Sequence, residues 1–127
     1  MVGTLVSLWA LVLSAADTAC AESGRDYRDG AAVLQVVRNR ARSRGRRYDG
    51  TLATALWSPQ QHAHGCRWPL TAEHVRLGAQ FVADRLPVEP WARRAIYYRS
   101  PRDAPGSCAR RAGPWLGRHA HDFYGRR

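Results

Sequence analysis

The chain has 127 residues and a hydrophobic content of 45%, which fits one globular domain and excludes an intrinsically disordered protein. Its charge is lopsided, because twenty basic residues, all arginine, stand against ten acidic ones and give a net charge of +10. Such a surface attracts polyanions at long range and holds phosphates or carboxylates at short range. Nucleic acid, anionic lipid and the anionic bacterial wall all fit, and charge alone does not choose among them.

The N-terminal segment has two interpretations. Residues 5–16 form an apolar run that is too short to span a bilayer but is typical of the core of a signal peptide. Small residues near Ala16 and Ala21 offer cleavage points, whereas the first four residues carry no basic side chain. The same run also fits a buried first helix. The sequence therefore predicts a signal peptide or a buried helix segment over 1–16, and a single domain over 17–127.

Helical patterns dominate the first two thirds of the chain. Residues 5–22 are expected to form a helix that Ser23 and Gly24 end, and Asp29 has the residue type of an N-cap for a second helix running to about Ser43. Two further helices are expected, a short one over 52–57 and another that Thr71 opens with capping chemistry and Pro87 ends.

The last third has β character. Residues 94–99 are rich in β-branched and aromatic side chains and are predicted to form a strand. A long Gly/Pro/Arg-rich loop is expected over 101–117, and 120–124 is predicted to be a final strand that pairs with 95–99. This order of helices followed by strands predicts an α+β fold, mostly helical, with a small antiparallel β element near the C-terminus.

Three cysteines are present, at Cys20, Cys66 and Cys108. None forms a C-x-x-C pair, so a standard zinc or redox motif is missing. In an oxidising compartment, Cys66 and Cys108 are expected to form a disulfide that ties two loops together and leaves Cys20 over. The alternative is two free, partly buried thiols.

The histidines raise the question of a metal site. They are His62, His64, His74, His119 and His121. H-x-H pairs on a strand share a face and can bind a metal. No third ligand is marked, and Arg67 and Arg118 would disfavour a cation, so no metal and no other cofactor is expected.

Carboxylates narrow the search for a catalytic group, because only three glutamates exist. Glu73 lies in the first turn of a predicted helix, where the helix dipole favours a negative charge. Glu89 lies between two prolines in a linker, which favours a solvated role. Glu22 ends the most apolar segment of the chain, where partial desolvation would favour its protonated form and let it donate a proton. The alternative for Glu22 is an ordinary helix-end acid paired with a nearby arginine.

Three blocks of sequence occur in an order shared with one enzyme family. AESGRDYRDG at 21–30 is followed by VVRNR at 36–40, 55–61 reads ALWSPQQ, and AIYY at 95–98 precedes HDFY at 121–124. This order resembles the SleB-type cell wall hydrolases, the family of spore-cortex-lytic enzymes. The family carries a Glu-Ala-Arg-Gly segment, a helix ending in Val-x-x-Asn-Arg, a Pro-x-Gln-Phe segment, an Ala-Leu-Tyr-Phe strand and a terminal His-x-Phe-Tyr.

The resemblance implies a lysozyme-like domain that cleaves the glycan strands of peptidoglycan, as a glycosidase or a lytic transglycosylase. Glu22 falls on the family's catalytic glutamate. Other motif positions, expected to line or support the cleft, are Asn39, Gln61, Tyr97, His121 and Tyr124.

Three departures from the family pattern affect the supporting residues. The spacing from Gly30 to Asn39 is one residue short, and His62 stands where the family has Phe. Either His119 or His121 can be the family's histidine. No second carboxylate matches a catalytic position, which favours attack by the substrate's own hydroxyl, the transglycosylase route, over ordinary hydrolysis.

The expected partners are peptidoglycan and anionic cell-wall polymers, with no nucleic acid, no membrane span and a monomeric state. An extracytoplasmic location follows if the N-terminus is a signal peptide; otherwise the protein stays cytoplasmic until release, as in phage lysis. One rival reading is a basic nucleic-acid-binding module around Arg42, Arg44, Arg46 and Arg47. The other is an inactive wall-binding protein that keeps the fold.

Overall fold

Three helices and a small sheet make up the described part of the chain. The structure, a computed structural model, describes residues 2–42, 55–56, 65–102 and 113–127. Its elements are the helices α1 (Val2–Ser23), α2 (Tyr27–Arg42) and α3 (Ala72–Ala83), a 3₁₀ turn (Pro90–Arg94), and the strands β1 (Tyr97–Arg99), β2 (Trp115–Arg118) and β3 (Asp122–Tyr124). The predicted α+β class is therefore confirmed, with the sheet near the C-terminus.

Helix α1 packs closely against α3. Its buried face consists of small or short side chains, including Ala15, Ala16 and Ala19, which let another helix approach. The approach is tightest at Gly78, where a Cβ atom would lie 2.1 Å from the carbonyl oxygen of Val12. No helix in the described ranges is long and apolar enough to cross a membrane.

The turn between α1 and α2 brings the ends of two helices together. Gly24 adopts the left-handed conformation with φ 57°, and its N–H donates to the carbonyl of Cys20 at 2.8 Å. The side chain of Asp26 then accepts the N–H of Asp29 at 3.0 Å. The prediction that Asp29 is the N-cap is therefore wrong: α2 begins at Tyr27, and Asp29 lies inside its first turn.

Helix α2 is central because it is buried on two sides. Leu34 and Val37 belong to a core cluster with Phe81 of α3. Val33 and Val36 belong to a second cluster with Phe123 of β3. Helix α2 thus lies between the other helices and the sheet, and it packs against both.

Helix α3 carries the capping chemistry expected at Thr71. The Thr71 hydroxyl accepts the N–H of His74, and the His74 side chain accepts the N–H of Thr71, so histidine takes the position where a capping box usually has Glu or Gln. The helix ends at Ala83, before the predicted stop at Pro87. Asp84 adopts a left-handed conformation there, and its carboxylate forms ion pairs with Arg38 and Arg42 of α2.

The sheet has the antiparallel order β1-β3-β2. The predicted pairing of the two C-terminal strands is confirmed, with Tyr98 opposite Phe123. The predicted loop over 101–117 is wrong in its last part, because β2 is a strand at the sheet edge with an irregular register at Gly117. A Cβ atom on Gly117 would lie 2.4 Å from the Trp91 ring, so the glycine that suggests a loop is required for close packing.

The predicted short helix over 52–57 lies mostly outside the described residues. Ala55 and Leu56 are helical and fully buried in the cluster between α1, α2 and α3.

Candidate functional site

Glu22 lies in the last turn of α1, beside the residue that precedes β3. Its side chain is 12% exposed, and its Oε2 lies 3.7 Å from Nε2 of His121, just before β3. The hydroxyl of Tyr98, on β1, also forms a hydrogen bond with Glu22. A carboxyl group that is nearly buried but still touches solvent is thus flanked by two groups able to exchange or donate a proton.

Asp29 fixes the position of His121. This carboxylate is fully buried and accepts three hydrogen bonds: from the Ser23 hydroxyl at 2.6 Å, the His121 backbone N–H at 2.8 Å and His121 Nδ1 at 2.6 Å. Burial alone would raise the pKa of Asp29, but the hydrogen bonds from His121 and Ser23 hold it below its usual value.

The ionised state of Asp29 assigns the tautomer of His121. An ionised carboxylate only accepts hydrogen bonds, so Nδ1 of His121 carries a proton. In the neutral ring, Nε2 is then the basic nitrogen, and it is the nitrogen that faces Glu22. At 3.7 Å the pair is too far apart for a direct hydrogen bond and close enough for an ion pair or a water-bridged proton transfer.

Tyr98 remains a neutral phenol. Burial raises its pKa well above the usual value, and the adjacent carboxylate of Glu22 raises it further. The guanidinium of Arg40 lies 5.7 Å from the ring centroid and acts in the opposite direction without cancelling the shift. A buried phenol in this state donates its hydrogen bond to Glu22 and keeps the carboxyl oriented.

His74 pins the turn that follows Glu22. Its Nδ1 accepts the N–H of Thr71 at 3.0 Å, so Nε2 carries the proton and donates to the carbonyl of Gly24 at 2.6 Å. Tyr27 packs edge-on against the His74 ring, with a centroid distance of 5.1 Å. Through these contacts, α3 holds the turn between α1 and α2, and this turn fixes the position of Glu22 relative to Asp29.

A disulfide holds a loop beside the same turn. Cys66 is bonded to Cys20 of α1, with a Cα–Cα distance of 5.4 Å, so the expected Cys66–Cys108 bond is wrong. The reason is local: Asp17 of α1 accepts the backbone N–H groups of Gly65 and Cys66, both at 2.9 Å, and draws the loop onto the helix. Cys108 lies outside the described residues.

The loop that follows Cys66 presents an aromatic surface near the site. Trp68 is 63% exposed, an unusual state for a tryptophan. A pocket of about 320 Å³ lies beside it, and the described part of its lining consists of Trp68 and Arg25, three residues after Glu22. An aromatic face with an adjacent cation can stack on a sugar ring and pair with a carboxylate.

The other predicted site residues are distributed unevenly. Asn39 lies at the far end of α2, where its amide donates to the carbonyls of Arg93 and Ala95 at 2.9 and 2.8 Å. Tyr97 and Tyr124 pack against each other on the sheet, with ring centroids 5.8 Å apart. Gln61 lies outside the described residues. The structure thus brings Glu22 and His121 together and gives the other three described residues structural contacts.

The two C-terminal histidines have separate environments. His119 forms an ion pair with Glu89 at 2.8 Å and packs against Trp91, whereas His121 faces Glu22. Partial burial opposes ionisation of Glu89, yet the hydrogen bond with His119 lowers its pKa. Glu89 is therefore paired with a histidine as well as being in contact with solvent. Within the described ranges, no group of three His, Cys, Asp or Glu side chains could hold a metal ion.

Sequence reasoning missed Asp29, Tyr98 and His74 as parts of the site. One signal was present for Asp29, because this charged residue directly precedes a run, 30–37, in which Gln35 is the single polar residue. A carboxylate on a buried helix face needs partners, and basic or hydroxyl side chains are the expected ones. Tyr98 and His74 carried no comparable signal, since their contacts join residues far apart in the chain.

Searches against protein-family models, curated proteins and solved structures found no match for this chain. The likeness to spore-cortex-lytic enzymes therefore stays a prediction from the sequence blocks.

Proposed function

We propose that this protein cleaves the glycan strands of peptidoglycan, with Glu22 as the acid that protonates the glycosidic oxygen. The observation that carries the proposal is the arrangement around Glu22, a nearly buried carboxyl flanked by neutral Tyr98 and by His121. The sequence blocks, which resemble a family of cell wall hydrolases, place the catalytic glutamate at the same residue. A lysozyme-like fold is part of the same proposal.

In the proposed reaction, Glu22 gives its proton to the leaving oxygen as positive charge develops on the sugar ring. The Glu22 carboxylate then takes the proton of the hydroxyl that attacks the sugar and so regains its acid form, while His121, whose Nδ1 is held by Asp29, helps to position the Glu22 carboxyl through its Nε2. Tyr98 keeps one Glu22 oxygen hydrogen-bonded through the cycle. The histidine acts here through Glu22 and is a positioning residue.

The surroundings of Glu22 favour the transglycosylase route. Asp29 is fully buried and its oxygens are occupied by Ser23 and His121, so it cannot attack a sugar or activate water at the cleft. Asp26 caps α2, pointing at its backbone. Both aspartates are thus engaged in structural hydrogen bonds. Attack by a hydroxyl of the substrate itself, which forms an anhydro-sugar, needs only one acid/base group.

Two further features fit a wall substrate outside the cytoplasm. Trp68 and Arg25 offer an aromatic face and a cation at one pocket, suited to a sugar that carries a carboxylate or a peptide stem. The Cys20–Cys66 disulfide favours an oxidising compartment and supports an extracytoplasmic location. Anionic wall polymers are the proposed partners of the +10 surface.

The test is the Glu22→Gln variant on a turbid suspension of purified bacterial walls. Loss of general acid catalysis should slow clearing by about 10²–10⁴-fold, while the circular dichroism spectrum stays unchanged. Glu73→Gln is the matched control, because Glu73 is exposed and, among the described residues, forms an ion pair with Arg76. Full clearing by Glu22→Gln would refute the proposal, and mass spectrometry of the fragments separates anhydro-sugar products from reducing ends.

A further inference from the structure

A pocket lined mainly by arginine lies at the opposite end of α2 from Asp29. Its volume is about 360 Å³. It is formed by the last turns of α2, the 3₁₀ turn and the first residues of the sheet region. The described residues that line it are Asn39, Arg42, Arg93, Arg94, Ile96 and Arg126.

The charge of this arginine pocket is only partly balanced by the ion pairs of the described residues. Among its guanidinium groups, that of Arg42 is paired with Asp84. No ion pair within the described residues involves Arg93 or Arg94, although both are exposed at the pocket. Unpaired cations beside a pocket attract an anion that enters it.

The backbone that carries these arginines is held rigidly. The Asn39 amide donates to the carbonyls of Arg93 and Ala95, and Nε of Arg40 donates to the carbonyl of Ile96 at 2.8 Å. The end of the 3₁₀ turn and the two residues after it are therefore tied to α2 by three hydrogen bonds. Only the side chains of Arg93 and Arg94 must be ordered when a ligand binds, which reduces the entropic cost of binding.

The pocket is separate from the Glu22 site. Asp29 and Asn39 lie about 15 Å apart along α2, at a rise of 1.5 Å per residue. A ligand in the arginine pocket would leave Glu22, Tyr98 and His121 uncovered. The arrangement suits a site that retains a polymer while another part of the polymer network is cut.

We propose that the arginine pocket binds a phosphodiester group of an anionic wall polymer and anchors the enzyme to its substrate. This inference rests on the proposed function. Guanidinium groups form bidentate hydrogen bonds with phosphate oxygens, and a pocket of about 360 Å³ has the size of a small-ligand site that admits a phosphate with its attached polyol. Duplex DNA would instead need phosphate contacts spread along an extended surface, which a single concave pocket does not offer.

The experiment measures sedimentation with bacterial walls in the Glu22→Gln background, so that cleavage does not release the protein. Intact walls are compared with walls stripped of phosphate polymers by hydrofluoric acid. The double variant Arg93→Gln/Arg94→Gln is compared with Arg76→Gln/Arg85→Gln, which removes the same charge from exposed positions of α3 and the turn after it, outside the pocket. The pocket variant should bind intact walls at least about tenfold more weakly than the control, since each lost charged contact is worth a factor of this order.

On stripped walls, the difference between the two variants should disappear. Equal weakening by both variants would show that only overall charge matters and would overturn the inference. A pocket-dependent shift of duplex DNA without pocket-dependent wall binding would also overturn it. If wild-type protein fails to cleave walls but the pocket-dependent binding persists, the proposed function falls and the anchoring site stands.

Discussion

The two ends of α2 carry opposite charges in opposite settings. At the N-terminal end, Asp29 is fully buried and accepts three hydrogen bonds. At the C-terminal end, the exposed arginines 93 and 94 stand around an open pocket beside Arg42. The negative charge at the N-terminal end and the positive charge at the C-terminal end both agree with the helix dipole, which favours anions near the first turn and cations near the last.

This difference shows how one helix can hold two kinds of polar site. Buried hydrogen bonds at the Glu22 end fix the geometry of a few atoms, and any loss leaves a buried group unsatisfied. Exposed guanidinium groups at the other end attract anions, and salt screens this attraction. Changes at the first end should therefore alter turnover and stability, whereas changes at the second should alter wall binding.

The largest expected effect concerns the Cys20–Cys66 disulfide, which closes a loop containing all of α2. Cys66→Ser should lower the free energy of unfolding by roughly 4 kcal/mol, because the bond restricts the unfolded chain across a sequence separation of 46 residues. Urea denaturation measures the loss.

Cys108→Ser is the matched control, and its stability should stay close to that of the wild type. A larger loss for Cys108→Ser, or a Cys66–Cys108 peptide in a non-reducing digest, would contradict the observed pairing. In the reduced protein, wall clearing should fall more than wall binding does, because the bond lies at the Glu22 end.

Asp29→Asn should slow wall clearing on the order of 100-fold, because a neutral amide holds Nδ1 of His121 less firmly than the carboxylate does and leaves the ring poorly oriented toward Glu22. Wall binding by the arginine pocket should be unchanged. Asp26→Asn is the control, since asparagine caps a helix as well as aspartate does.

A second readout separates positioning from mere destabilisation. The pH profile of clearing should change in Asp29→Asn at temperatures where the variant remains folded. An unchanged profile with a uniform loss of soluble protein would assign Asp29 a purely structural role.

His74→Gln should lower the free energy of unfolding by about 1–3 kcal/mol, because the hydrogen bonds to Thr71 and Gly24 need two ring nitrogens at fixed positions. Glu73→Gln, one residue earlier and exposed, is the control. Thermal unfolding checks the difference, and equal midpoints for the two variants would show that the Gly24 turn does not depend on His74.

A smaller effect is expected from acid. The pKa of Asp29 is lowered in the folded protein, so its contribution to stability is present above its unfolded value of about 3.9 and is lost as the pH falls through the lower folded value. The stability difference between wild type and Asp29→Asn should therefore shrink below pH 4. A difference that stays constant down to pH 2 would argue against an ionised Asp29.

Much of the fold was predictable because local signals agree with it. The 3.6-residue spacing of apolar side chains marks α2, and the capping residue Thr71 marks the start of α3. The predicted strands over 94–99 and 120–124 were expected to pair, and this pairing is confirmed. Strand β2 was missed because Gly117 reads locally as a loop residue, whereas it is required by the Trp91 ring that packs on it.

The site was predictable only where sequence blocks carried it. Glu22 was predicted from its residue type, its apolar surroundings and the family resemblance, and His121 from the resemblance alone. The roles of Asp29 and Tyr98 depend on contacts between distant parts of the chain, which no local pattern reports. The disulfide was mispredicted for the same reason, since the carboxylate of Asp17 selects Cys66 as the partner of Cys20.

The separation of Asp29 from His121 by 92 positions has a consequence for biosynthesis. Synthesis delivers the N-terminal part of the chain first. A nascent chain that ends at β1 already contains Glu22, Asp29 and Tyr98 but lacks the histidine that completes the site. The proposed wall-cutting site is thus complete only when the last strand has paired with β1, so a chain cut short before His121 would contain Glu22 but lack the histidine that faces it.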